Sequence, residues 1–236
     1  MTLFSSLAPV PAPAGIDLRL CDVREMLATV RGARLVVADP PWQYSVGAAG
    51  KGVAQPELNG IYECMSDAEI VAVLDLAYDS AADDSRLAVW YTWPKDAEWG
   101  NAGGAGPRWG PRKTGGSWTK MLETSGGARP LEPGVGHHWR GRTEPVAIFT
   151  RGACGRMREV LHNGYVSPPA EHSEKPVPWL RGWLRAWTDP GDLVVDVFAG
   201  LAPLARACLA EGRRYCGAEI DPERYDRAPS LLARSP

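Results

Sequence analysis

The chain has 236 residues, with 26 basic against 28 acidic side chains and a formal charge of −2. Hydrophobic residues make up 44% and charged residues 23%, proportions of a globular protein with chain enough for one buried core. The near-neutral balance excludes a uniformly basic, nucleic-acid-coating surface, though not a local basic patch. No apolar run approaches the roughly 18 residues of a membrane span. The first residues lack the basic start and apolar stretch of a secretory leader. Five cysteines stand far apart with no Cys-x-x-Cys pair, which disfavours a disulfide framework or a zinc site and fits a reducing cytoplasmic setting. No cluster of residues suggests a metal.

Charge is unevenly spread. Residues 1–98 carry 7 basic and 14 acidic side chains, residues 99–160 carry 10 and 4, and residues 161–236 carry 9 and 10. The middle stretch also holds Trp99, Trp109, Trp118 and Trp139 among many glycines. Basic, aromatic and glycine residues together suit a mobile surface that meets phosphates and stacks on bases. The alternative is a solvated loop whose tryptophans anchor it to the body.

In chain order, residues 1–15, rich in Ala and Pro, read as a flexible arm; 16–236 read as one domain. Asp17–Cys21 suggests a short strand and Val23–Val30 a helix. Arg34–Ala38 is a β-branched run stopped by two prolines, a buried strand. Residues 43–60 read as a loop. Ser66, with Glu69 three residues on, is a capping box that opens a helix. Arg86–Thr92 reads as a strand, and 94–142 as a second inserted substrate loop, within which Ser117–Glu123 is helix or strand. Glu144–Thr150 is a strand. Pro176–Trp187 has apolar residues at helical spacing; its Trp179, Trp183 and Trp187 form a stripe for the core or a subunit interface. Leu193–Phe198 is a strand, Ala202–Glu211 a helix, Arg214–Ile220 a strand and Pro222–Leu232 a terminal helix. Alternating strands and helices imply an α/β fold with a mostly parallel sheet.

Two constellations carry chemistry. From Asp196 through Gly200 to Glu219 the chain reads strand, glycine turn, helix, strand, carboxylate. That is the layout of a unit that binds a ribose, in which the carboxylate accepts from sugar hydroxyls. The turn has a single glycine, so a pyrophosphate is disfavoured; a nucleoside without phosphates, such as S-adenosylmethionine, suits it better. The second constellation, Asp39-Pro40-Pro41-Trp42, ends a buried strand. The carboxylate and the proline carbonyls are acceptors for both hydrogens of a planar base's exocyclic amine, and Trp42 supplies a π-face to stack on it. Such contacts draw the nitrogen lone pair out of conjugation and orient it for attack on a methyl sulfonium.

On these motifs the chain resembles the DPPW-type adenine N6-methyltransferases, relatives of the catalytic subunit of the eukaryotic mRNA adenine methyltransferase and of bacterial and phage DNA adenine methyltransferases. The similarity spans roughly residues 17–228. It includes L-C-D-V-R (20–24), V-V-A-D-P-P-W (36–42), S-W-T-K (117–120), the stretch 136–152, E-H-S-E-K-P (171–176) and D-P-G-D-L-V-V-D-V-F-A-G (189–200). The catalytic motif precedes the cofactor motif, the permuted order of that family. The resemblance implies a Rossmann-like methyltransferase fold, helices on both faces of the sheet, and S-adenosylmethionine as donor. It assigns catalysis to Asp39, Pro40, Pro41 and Trp42. Cofactor contacts fall to Asp22, Val23, Asp39, Lys175, Phe198, Ala199, Gly200 and Glu219. Substrate contacts fall to Tyr44, Lys120, His138, Arg140 and Glu144. The implied reaction is N6 methylation of adenine in DNA, with RNA adenine, or a non-catalytic nucleic-acid-binding subunit, as alternatives. A homodimer or a heteromeric partner is left open. The chain departs from DNA-modifying relatives at Ala202, where they carry a second glycine, and in lacking Ser/Thr hydroxyls there.

Overall fold

The computed structural model describes residues 13–43, 64–99, 104–124, 127–130, 143–155, 157–168 and 174–233. It opens with β1 (Ile16–Leu20), α1 (Val23–Thr29) and β2 (Ala33–Ala38), followed by α2 (Asp67–Ser80) and β3 (Ala81–Trp90). A 3₁₀ turn (Trp93–Lys95) and the short α3 (Asp96–Trp99) lead to β4 (Thr114–Thr124), β5 (Gly127–Pro130), β6 (Thr143–Arg151) and β7 (Gly164–Ser167). The chain ends in α4 (Val177–Trp187), β8 (Leu193–Asp196), α5 (Pro203–Glu211), β9 (Arg214–Glu219) and α6 (Pro222–Leu232).

The strands form one sheet in the order β1-β9-β8-β2-β3-β6-β4-β5, with β7 also paired to β4. β1, β9, β8, β2 and β3 are mutually parallel, whereas β3–β6, β6–β4 and β4–β5 are antiparallel. Helices cover both faces. Along β2, Ala33, Val36 and Ala38 pack with α1 and α2, while Leu35 and Val37 pack with α4 and α5. This alternation is why R-L-V-V-A reads as continuously apolar: each side chain meets a helix on one face or the other.

Helix starts follow their local chemistry. Asp22 caps α1 by accepting from the Arg24 N–H. At α2, Ser66 Oγ accepts from the Glu69 N–H while Glu69 accepts from the Ser66 N–H, the reciprocal capping box. α5 and α6 have proline in their first turn, where a missing N–H costs no helical bond.

The inserted loop expected over 94–142 is not a loop throughout. It contains α3, and Thr114–Thr124 is a strand paired with β6, β7 and β5. Two adjacent glycines hid the first part of this strand, whose later part, Ser117–Glu123, reads as helix or strand. A Cβ on Gly116 would lie 2.6 Å from the Asn163 carbonyl oxygen, so glycine here permits close backbone packing. At its three described tryptophans the base-stacking surface expected here is corrected; Trp139 lies outside the described residues. Trp99, Trp109 and Trp118 are buried; Trp109 donates to the Leu74 carbonyl at 2.8 Å and Trp118 to Ser167 Oγ at 3.1 Å. Arg108 is clamped on Asp79, and Arg112 on Tyr91 and Asp96. The tryptophans are anchors. Within the expected arm over 1–15, Gly15 is tied down, its carbonyl accepting from the Tyr215 N–H of β9 at 2.8 Å. Residues 1–12 and most of the loop expected over 43–60 lie outside the described residues.

Candidate active site

Five parallel strands share one direction, so their C-terminal ends share one edge. β2 and β8 are neighbours there although some 155 residues separate them in sequence. From β2 the chain winds outward to β3; from β8 it winds outward to β9. The crevice between these two directions is where open α/β sheets take their ligands. A cleft of about 660 Å³ lies at this edge, in the size range of small-molecule sites.

Every candidate cofactor residue borders the cleft: Asp22 and Val23 from the start of α1, Asp39 after β2, Lys175 before α4, Phe198, Ala199 and Gly200 after β8, and Glu219 at the end of β9. Gly200 and Glu219 are directly linked. Glu219 Oε2 accepts from the Gly200 N–H at 2.7 Å, and its Oε1 from the Asp221 N–H at 2.8 Å. Burial raises the Glu219 pKa, and the two N–H donors oppose the rise. Gly200 adopts φ +56°, with open space where a Cβ would project. Ala202, where relatives have glycine, takes the left-handed conformation at φ 55°, ψ 47°. An L-residue holds it at a cost of about 1–2 kcal/mol. The chain thus keeps the glycine-type turn without the glycine.

The candidate catalytic residues border the same cleft. Asp39 Oδ2 accepts from Lys175 Nζ at 2.6 Å. Lys175 also lies 3.2 Å from Glu144, and Glu144 pairs with Lys120. Two carboxylates and two ammoniums therefore alternate across the ends of β2, β6 and β4. Burial works against the charge on Lys175, but the two carboxylates prevail and hold its pKa above the usual value. Burial likewise opposes charge on Glu144, and the two lysines bring its pKa below the usual value. For Asp39, burial outweighs Lys175 and raises the pKa.

Two details differ from the expected catalytic arrangement. The proline carbonyls are not wholly free: Pro40 accepts from the Trp42 N–H and Pro41 from the Met65 N–H, both at 2.9 Å. One lone pair remains on each. Trp42 does not present an open stacking face. It is 6% exposed, meets Trp99 edge-to-face at 4.9 Å, and has Lys95 over its ring at 5.9 Å. The ring fastens the turn to the body.

Of the candidate substrate residues, Glu144 borders the cleft and Lys120 is engaged by Glu144 beside it. Tyr44, His138 and Arg140 lie outside the described residues. Sequence reasoning passed over Asp196 as a site residue, using it only as a spacing mark. It is buried at the C-terminal end of β8, accepts from the Tyr215 hydroxyl at 3.1 Å and borders the cleft. Burial lifts its pKa to about 7, helped by the charges of Asp39 and Glu219. The signal was available: a lone Asp closing an apolar strand beside a glycine turn.

Comparison with known proteins agrees with this architecture. M.XycI, a type II methyltransferase of Xanthomonas campestris pv. cyanopsidis, is 31% identical over 98 residues, covering 41% of this chain and 31% of that protein. The aligned stretches span under a third of the length of the curated relatives they match. Among solved structures, the complex of M1.HpyAVI with SAM superimposes with a TM-score of 0.61 at 13% identity, covering 92% of this chain and 99% of that one. The PvuII DNA methyltransferase (cytosine-N4-specific) gives 0.58 at 14%, covering 92% and 88%. These two likenesses show a shared fold. The family model for N6/N4 DNA methylases matches residues 88–230, more than half of the sequence. The chain belongs to the N6/N4 methyltransferase family of DNA methylases.

Proposed function

We propose that this protein transfers a methyl group from S-adenosylmethionine to the exocyclic N6 amine of adenine in DNA. The observation that carries the reading is a single cleft bordered by both Asp39-Pro40-Pro41-Trp42 and the Gly200–Glu219 pair. The residues suit the cofactor. Glu219 is a buried carboxylate facing a glycine turn with open space, and Asp22 and Val23 border the same cavity. Glu219 would accept from the ribose hydroxyls. The cofactor supplies an electrophilic methyl group on a sulfonium.

The chain's own part is positioning and charge. Asp39 and the remaining lone pair of Pro40 accept from the target amine, which directs the nitrogen lone pair along one line. Oδ2 of Asp39 accepts from Lys175. Forming the N–C bond leaves the amine nitrogen cationic, so one proton must depart. Asp39, with its pKa raised by burial, is the carboxylate at hand to receive it. Lys175, held charged by Asp39 and Glu144, keeps that carboxylate in place.

The test is calorimetric titration of S-adenosylmethionine into wild type and Asp39→Ala, followed by incubation with unmethylated DNA and with RNA. Products are digested to nucleosides and read by mass spectrometry. The expected result is cofactor binding by the wild type, N6-methyladenine in DNA, and activity at least about a hundredfold lower for Asp39→Ala. N4-methylcytosine would replace adenine as the target, and product only in RNA would replace DNA. No cofactor binding would overturn the enzyme reading altogether.

A further inference from the structure

Trp93 has a place beside the cleft that none of the motifs assigns. It opens the 3₁₀ turn after β3 and follows Thr92, which borders the cleft. It is 52% exposed. Trp42, Trp90, Trp99, Trp109, Trp118, Trp179 and Trp183 are all buried. Its indole Nε1–H donates to Thr143 Oγ1 at 2.7 Å. Thr143 opens β6 and is followed by Glu144, which also borders the cleft. The ring therefore joins two segments whose adjacent residues, Thr92 and Glu144, line the cleft.

With its one polar atom engaged, the outward surface of this indole is apolar, and the hydrogen bond across to β6 fixes its orientation in advance. An ordered, half-exposed aromatic is a stacking platform that has already met its ordering cost. Trp42, by contrast, is buried against Trp99.

We infer that Trp93 is a nucleic-acid contact, on which a base of the DNA substrate stacks beside the methyl-transfer cleft. The inference rests on the DNA-methylating reading above and names a residue that binds the polymer rather than the cofactor.

The experiment measures binding of a fluorescein-labelled, mixed-sequence single strand and of its duplex by anisotropy, for wild type, Trp93→Ala and Trp93→Phe. Cofactor titration and sedimentation run alongside. Trp93→Ala should weaken single-strand binding about tenfold, with cofactor affinity unchanged. Trp93→Phe should keep most of the affinity. The dependence of affinity on salt should keep its slope, because stacking releases no counterions. Equal DNA affinity in wild type and Trp93→Ala overturns the inference and leaves the methyltransferase reading standing. Loss in Trp93→Phe as large as in Trp93→Ala overturns stacking as the contact. A dimer that dissociates in Trp93→Ala, with DNA affinity unchanged, assigns the ring to a second copy and overturns the inference. A wild type that binds cofactor but no DNA overturns both the inference and the DNA substrate.

Discussion

Asp196 shows how one buried carboxylate ties stability to pH. Its pKa of about 7 in the fold lies well above the ordinary 3.8. Between those values the folded state holds a proton that the unfolded chain has lost. Asp196 therefore contributes stability that is present at low pH and is lost as pH rises towards 7. Asp196→Asn removes the titration while keeping an acceptor for Tyr215. Melting temperatures of the two proteins, compared from about pH 4 to 7, should move in the variant's favour as pH rises. A constant difference would show that Asp196 does not titrate in that window. Ala202 is a second case in which the residue and its surroundings disagree. An alanine stands where relatives carry glycine, and it holds the left-handed conformation that favours glycine.

At the scale of elements, the helices were legible where side chains address the backbone directly. Ser66 and Glu69 form the capping box that their spacing announces, and the local bond is the whole signal. Ser66→Ala should cost about 1 kcal/mol in denaturant melts, with the cleft unaffected; a neutral result would mean that packing alone holds α2. Trp179 and Trp183, at helical spacing, are core as expected: both pack on Trp90, at 5.6 and 5.5 Å. β4 was legible only in part, since Ser117–Glu123 reads as helix or strand, and β7 was not legible. The signal of β4 is broken by Gly115 and Gly116, glycines demanded by the Val146 and Asn163 carbonyls of neighbouring chain. Those partners are distant in sequence, so no window around β4 contains the reason. β7 alternates exposed and half-buried positions beside β4, and four residues give too short a pattern to recognise.

For the molecule as a whole, function depends on bringing five strand ends to one edge, and ligand binding should report on that assembly. S-adenosylmethionine at a hundredfold excess over its dissociation constant should stabilise the fold by about 2.7 kcal/mol, seen as a raised melting temperature. Glu219→Ala should abolish most of that rise. An undiminished rise would move the ribose contact to another residue. The sequence by itself determined the α/β class, the order of the parallel strands' motifs, and the candidate residues that border the cleft. These are encoded in short contiguous runs: an apolar strand followed by its acidic or glycine end. Only the tertiary structure decided how they are joined. It links Lys175 to Asp39 across 136 residues, buries Trp42 against Trp99, and leaves Trp93 exposed beside the cleft. Burial and charge pairing between distant segments are properties of the packed chain, and a linear pattern of residue types does not contain the distances that set them.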